Sequence, residues 1–90
     1  MLKTLEQLIK LIRERKKSSK ESSYTNKLLK DKNLSLEKVK EEVIELIEAV
    51  DKNTNTVHEA ADVLYHLMVY LEVNNINIED VMVELEKRKK

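Results

Sequence analysis

An all-α fold is predicted by three features of the sequence. Glycine and proline are both absent, which removes the residues that tight β-hairpin turns depend on. Apolar residues recur at three- and four-residue spacing in several segments, the period of a helix with one buried face. Three tyrosines are the only aromatic residues, too few for a typical sandwich or barrel core. The expected architecture is one domain over residues 1–90, a helical bundle of four to five helices. A chain of 90 residues buries only about 60% of the surface its unfolded form exposes, so the bundle is expected to be completed by homodimerisation.

The elements follow in order. Leu2, Leu5, Leu8, Ile9, Leu11 and Ile12 define an amphipathic first helix over about residues 2–16. From Arg13 to Ser23 the sequence R-E-R-K-K-S-S-K-E-S-S loses apolar periodicity and reads as a mobile loop. Ser23 can cap a short second helix ending near Asp31. Ser35 can cap a third, whose Leu36, Val39, Val43, Leu46, Ile47 and Val50 keep helical spacing to about Asp51. After the turn D-K-N-T-N-T, Thr56 and Glu59 have the spacing of a capping box. They open a fourth helix, Thr56–Val73, paired antiparallel with the third. Its apolar residues Val57, Ala60, Ala61, Val63, Leu64, Leu67, Met68 and Leu71 cover most of the circumference, as expected of a core helix. Asn77 can cap a last helix, with Ile76 and Val81 placed as a hydrophobic staple, running into E-K-R-K-K.

Composition excludes several functions. Seventeen basic and seventeen acidic residues cancel, so the positive field of a general nucleic-acid or acidic-membrane binder is missing. The absence of cysteine rules out disulfides and cysteine-ligated zinc. The amino-terminal segment is broken by charge every few residues, unlike a signal peptide or membrane span. A soluble, cytoplasmic protein is expected.

The chemistry concentrates on the third and fourth helices. Glu59, Asp62 and His66 lie within about 60° of one another around the fourth helix, a narrow polar stripe on an apolar cylinder. Two acids one turn apart on such a helix repel and lose solvation, so a positive partner is expected opposite them. Glu42 and Glu45 stand one turn apart at the edge of the third helix's apolar stripe, alongside Glu41 and Glu48. In an antiparallel pair of helices, Glu42 and Glu45 can face Glu59 and Asp62, gathering four carboxylates. A hard divalent cation suits such a site, and Mg²⁺ best of all, since it takes oxygen ligands and keeps positions for water and phosphate. A di-iron bundle would need Glu-x-x-His pairs, and neither helix has one.

Each of these residues also has a plainer reading. Glutamates on a helix face are commonly solvated, and Glu59 can serve as a helix cap. His66 can be a core histidine bonded to a carbonyl, and Tyr65 and Tyr70 can be packing residues. Asp62 resists such a reading, because aspartate is a poor helix former and this one lies deep in an apolar segment. The basic residues Arg13, Arg15, Lys16, Lys17, Lys20, Lys27 and Lys30 crowd around the expected loop, where they can meet phosphates.

The run Glu41-Glu42-x-x-Glu45, then thirteen residues, then Glu59-x-x-Asp62, resembles the E-E-x-x-E…E-x-x-D pattern of the all-α (MazG-like) nucleotide pyrophosphohydrolases. The segments S-Y-T-N-K-L, K-V-K-E-E-V-I-E, E-A-A-D-V-L-Y-H-L and D-V-M-V-E-L-E-K-R, spread over about residues 22–89, are similar to the phosphoribosyl-ATP pyrophosphohydrolases of histidine biosynthesis. Lys40 departs from the pattern, since such proteins often have glycine ahead of the paired glutamates. The resemblance implies Mg²⁺-dependent hydrolysis of phosphoribosyl-ATP to phosphoribosyl-AMP and pyrophosphate. It implies metal ligation by Glu42, Glu45, Glu59 and Asp62, with Glu41 orienting or deprotonating the attacking water. It also implies that Ser23, Tyr24, Thr25 and Lys27 hold the substrate's phosphates or ring. The cyclohydrolase sometimes fused to such enzymes needs a zinc site, for which a cysteine-free chain of this length leaves no room, so a monofunctional protein is expected. Two other classes remain open at this point: a general nucleotide house-cleaning pyrophosphatase, and a structural helical-bundle protein.

Overall fold

In the computed structural model, residues 2–17 and 23–89 are described. Among them the chain forms five helices in the order α1 (Lys3–Lys17), α2 (Tyr24–Lys30), α3 (Lys32–Lys52), α4 (Thr56–Val73) and α5 (Ile78–Arg88). The all-α expectation holds. Helix α1 runs on through Lys17, so Arg13 to Lys17 are helical rather than part of the loop expected from their polarity. Lys20 and the rest of that expected loop up to residue 22 lie outside the described residues.

The caps show how a chain without glycine ends its helices. Ser23 caps α2 as expected, its Oγ accepting from the Asn26 backbone N–H at 3.1 Å. The cap of α3, however, is Asp31 rather than Ser35: Asp31 Oδ1 accepts from the Leu34 N–H at 3.0 Å. A carboxylate also suits the helix N-terminus electrostatically. Ser35 is instead buried inside α3 at 2% exposure. Asn53, Asn55 and Asn75 take positive φ of 56°, 51° and 58°, the left-handed region that asparagine tolerates best after glycine. Asn53 closes α3, where the Thr54 N–H reaches the Ala49 carbonyl at 3.0 Å. Asn75 turns the chain after α4, with the Ile76 N–H on the Leu71 carbonyl at 2.9 Å. The expected capping box at Thr56 does not form, because Thr56 is already the first residue of α4 and Asn55 is the N-cap, without a side-chain cap bond. Glu59 is therefore not spent on a cap.

Helices α3 and α4 pack along one another as an antiparallel hairpin joined by residues 53–55. Helix α2 sits against α1, α3 and α4. The core gathers Ile12 from α1, Leu28 from α2, and Met68, Val69 and Val73 from α4. Thus α4 is the central helix, but its buried face lies at Met68, Val69 and Val73, whereas Val57 is 83% exposed. The apolar stripe expected on α3 likewise divides. Leu36, Val39 and Leu46 are partly buried, while Val43, Ile47 and Val50 face outward.

Helix α5 has no buried residue and is held at its start by ions. Arg13 of α1 makes two bonds to the Glu79 carboxylate, at 2.8 and 2.6 Å, a bidentate pair. Lys16 donates to the Glu72 carbonyl at 2.9 Å and to Asn75 Oδ1 at 2.8 Å. Glu72 lies 3.7 Å from Arg13 Nε and 3.6 Å from Lys16 Nζ. Beside this latch an apolar groove of about 670 Å³ runs between α1, α4 and α5, lined by Leu5, Ile9, Leu64, Met68, Ile78 and Met82 among others.

Candidate active site

The hairpin brings the predicted acids together. Carboxylate oxygens of Glu42, Glu45 and Glu59 lie within 4.8 Å of one another, and so do ligand atoms of His58, Glu59 and Asp62. Glu59 belongs to both groups and joins the pair on α3 to the pair on α4. Glu42 Oε2 and Glu59 Oε2 are each shut off from solvent without a hydrogen-bond partner. A buried carboxylate oxygen left unpaired is costly.

The electrostatics agree. Burial, reinforced by a shared hydrogen bond with Glu45 and repulsion from Glu45, Asp62 and Glu59, pushes the Glu42 carboxyl up to about 7. Burial and the neighbouring Glu45 also raise Glu59, partly offset by His58. Crowded acids hold protons above their usual range when no cation offsets them. The donors are carboxylate oxygens with one imidazole at the edge, and two of the oxygens are buried without a hydrogen-bond partner among the described residues. That set fits a hard divalent cation. His58 was not among the residues expected here; its Nε2 lies 3.4 Å from Asp62 Oδ2. The i, i+4 spacing of His58 and Asp62 on one helix is the signal that could have found it. Next to the acids, a hollow of about 190 Å³ opens at the α3–α4 turn, lined by Glu45, Glu48, Lys52, Asn55 and Glu59 among others. Glu41 stands outside both groups, largely exposed, with its carboxylate 3.6 Å from Lys38 Nζ.

The four residues expected to meet substrate lie at the start of α2. Ser23 spends its oxygen on the helix cap and is also bonded to the Asn26 side chain. Thr25 Oγ1 is bonded to the Tyr65 hydroxyl at 2.5 Å. The Tyr24 hydroxyl lies 3.0 Å from His66 Nε2, and its ring stacks on Tyr65 with centroids 6.3 Å apart. Lys27 is exposed. Burial raises the Tyr24 phenol, with Lys38 pulling it down and Tyr65, Glu42 and Glu41 pushing it up. Tyr24 is therefore within electrostatic reach of the acidic cluster, and half of it remains exposed, at 47%.

His66, which completed the polar stripe in sequence, is buried at 6% exposure. Its Nδ1 lies 2.8 Å from the Asp62 carbonyl oxygen, the carbonyl-bonded core histidine that was one of its two readings. The short α2, at seven residues, is below the length at which a helix holds itself together in water. Its position is set by its neighbours. Leu28 is fully buried, Asn26 donates to the Arg15 carbonyl at 3.0 Å, and Tyr24 and Thr25 bond to consecutive residues of α4.

Comparison with known proteins shows the family. The family model described as phosphoribosyl-ATP pyrophosphohydrolase matches residues 5–89. The chain is 40% identical over 90 residues to the phosphoribosyl-ATP pyrophosphatase of Haloarcula marismortui, covering 94% of this chain and 92% of that protein. It is 42% identical over 90 residues to the protein of the same name from Clostridium novyi, covering 96% and 81%. It is also 41% identical over 90 residues to the histidine biosynthesis bifunctional protein HisIE of Pyrococcus furiosus, where it spans 99% of this chain but only 43% of the longer protein. The chain belongs to the phosphoribosyl-ATP pyrophosphohydrolase family.

Proposed function

We propose that this protein hydrolyses phosphoribosyl-ATP to phosphoribosyl-AMP and pyrophosphate, in the second step of histidine biosynthesis, with Mg²⁺ as its cofactor. The reading rests on family membership, and the observation that carries it into the structure is the carboxylate cluster with two buried, unpartnered oxygens. Glu42, Glu45, Glu59 and Asp62 would hold the ion. When bound, Mg²⁺ supplies positive charge for the triphosphate oxygens and makes a nearby water more acidic.

The chain's own groups account for the rest. Water adds to phosphorus at the bridge between the α- and β-phosphates, the bridging P–O bond breaks, and pyrophosphate departs. Glu41, exposed and next to Glu42 in sequence, takes the proton from that water or orients it. Lys27 offers an exposed ammonium to phosphate oxygens, and Lys38, close enough to act on Tyr24, adds a second cation to the same side. Ser23, Tyr24 and Thr25 shape the substrate surface at the start of α2.

A homodimer completes the bundle. Ile44, Ile47 and Val50 on α3 are 56%, 63% and 61% exposed, and Val57 and Leu64 on α4 are 83% and 48% exposed. So much apolar surface on one hairpin suits an interface better than water. No helix of the described residues is long and apolar enough to cross a membrane, in keeping with a cytoplasmic enzyme acting on a small-molecule substrate.

Pyrophosphate release from phosphoribosyl-ATP, measured with and without Mg²⁺ and against canonical deoxynucleoside triphosphates, tests this reading. Mg²⁺-dependent turnover preferring phosphoribosyl-ATP is expected. Equal turnover of the deoxynucleotides would indicate a house-cleaning pyrophosphatase instead.

A further inference from the structure

Tyr24, His66 and the backbone of Asp62 form a hydrogen-bonded chain whose direction, for a neutral imidazole, follows from the carbonyl at one end. The Asp62 carbonyl oxygen can only accept, so His66 Nδ1, 2.8 Å away, carries a proton. In the neutral imidazole Nε2 is then an acceptor, and the group 3.0 Å from it, the Tyr24 hydroxyl, is the donor. The phenol has one proton and spends it on His66. What it still offers at the half-exposed face of Tyr24 is lone pairs. A phosphate oxygen cannot use them, because it too is an acceptor. A sugar hydroxyl or a ring N–H can.

Resting on the assignment of phosphoribosyl-ATP as substrate, we propose that His66 is a positioning residue that commits Tyr24 to a hydrogen-bond donor on the nucleoside part of the substrate and not to its phosphates. The same chain fixes where that contact falls. His66 hangs from the carbonyl of Asp62, a residue of the acidic cluster, so the nucleoside contact and the metal-binding acids are registered on one turn of α4. Tyr65, the adjacent residue, stacks on Tyr24 and bonds Thr25, and packs edge-on against His66 with centroids 4.9 Å apart. The phenol is thus held against rotation from two sides. Phosphate binding is left to the lysines and to the cation of the proposed function.

Two probes separate the halves of the substrate. With Mg²⁺ present, inhibition of phosphoribosyl-ATP turnover is measured for phosphoribosyl-AMP, which carries the nucleoside, and for inorganic pyrophosphate, which does not. In His66→Leu and in Tyr24→Phe, inhibition by phosphoribosyl-AMP should weaken about five- to tenfold, the worth of one neutral hydrogen bond, while inhibition by pyrophosphate stays as in the wild type. His66→Gln can present a carbonyl oxygen to the Tyr24 hydroxyl and should recover most of the loss, which a purely packing role for the ring would not predict. The ring-nitrogen ¹⁵N shifts of His66, assigned through the His66→Gln spectrum, should report the neutral form protonated at Nδ1. An imidazole protonated at Nε2, or pyrophosphate inhibition weakened as much as that by phosphoribosyl-AMP, overturns the proposal. Wild-type protein that releases no pyrophosphate from phosphoribosyl-ATP overturns the reaction and this proposal with it. Wild-type turnover with both inhibition constants unchanged in His66→Leu overturns the proposal alone.

Discussion

Two clusters of charge in this molecule use the same residue type in opposite ways. At the junction of α1, α4 and α5, Glu79 takes both donors of the Arg13 fork, and its carboxyl is pulled down to about 2, chiefly by that hydrogen bond. Between α3 and α4, Glu42 sits among Glu45, Glu59 and Asp62, and burial together with these acids pushes its carboxyl up to about 7. The first arrangement is complete within the chain, with Glu72 and Lys16 closing it. In the second, the charges that act most on Glu42 are acidic. Strongly shifted carboxyls of this kind gather at functional sites, and the contrast is between an ion pair closed within the chain and a cluster of like charges.

The sharpest way to break this contrast is to neutralise one member of each cluster and compare activity. Asp62→Asn or Glu45→Gln, which keep shape and lose charge, should lower pyrophosphate release by about a hundredfold or more, the rate equivalent of a few kcal/mol of charge stabilisation. Glu79→Gln should leave turnover close to that of the wild type. Comparable losses in both would erase the distinction.

Mg²⁺ gives the next largest effect. An ion that binds the folded cluster and not the unfolded chain stabilises by RT ln(1 + [L]/Kd), about 2.7 kcal/mol at a hundredfold excess over Kd. For a domain of this size that raises Tm by roughly ten to twenty degrees. Differential scanning calorimetry with EDTA and with millimolar Mg²⁺ checks it.

The pH dependence of the metal-free protein should be smaller, and opposite in the two regions. Glu42 binds its proton more tightly folded than unfolded, so between about 4.5 and 7 the folded state holds more protons. Stability from this group therefore falls as pH rises through about 7. Glu79 binds its proton less tightly when folded, so its contribution is present above about 4.5 and is lost only as pH falls towards 2. Denaturant midpoints at pH 5 and pH 8 in EDTA should favour pH 5, and Glu42→Gln should flatten the difference. Last in size is the latch itself. Its Arg13–Glu79 pair is solvated, with side chains 34% and 64% exposed, and Arg13→Ala should cost little stability, a small fall in Tm measured at neutral pH.

Much of this was legible in the sequence because it is written in spacing. The 3.6 period gives the helices, and two E-x-x-[DE] pairs on either side of a short turn give the cluster. Other features were hidden because they depend on tertiary contacts. Asp31 and Ser35 are both acceptable caps by type, and only the packing that buries Ser35 decides between them. Thr56 and Glu59 have capping-box spacing, but Asn55 in the left-handed region starts the helix one residue earlier. The outward face of Val43, Ile47 and Val50 reads in sequence like any core stripe, since periodicity reports apolarity and not what covers it. The bonds of Tyr24 to His66 and of Thr25 to Tyr65 span 42 and 40 residues, beyond the reach of any local pattern.

The central claim, that the α3–α4 acids form a cation site and not a solvated face, is tested most directly by four melting curves. Wild type and Glu59→Gln are each melted with EDTA and with millimolar Mg²⁺. Glu59 is the residue shared by both groups of acids and has a buried, unpartnered oxygen. Removing its charge should raise the melting temperature in EDTA and shrink the rise that Mg²⁺ produces. A wild type that melts at the same temperature in both buffers, with a variant that melts lower in both, would contradict the account.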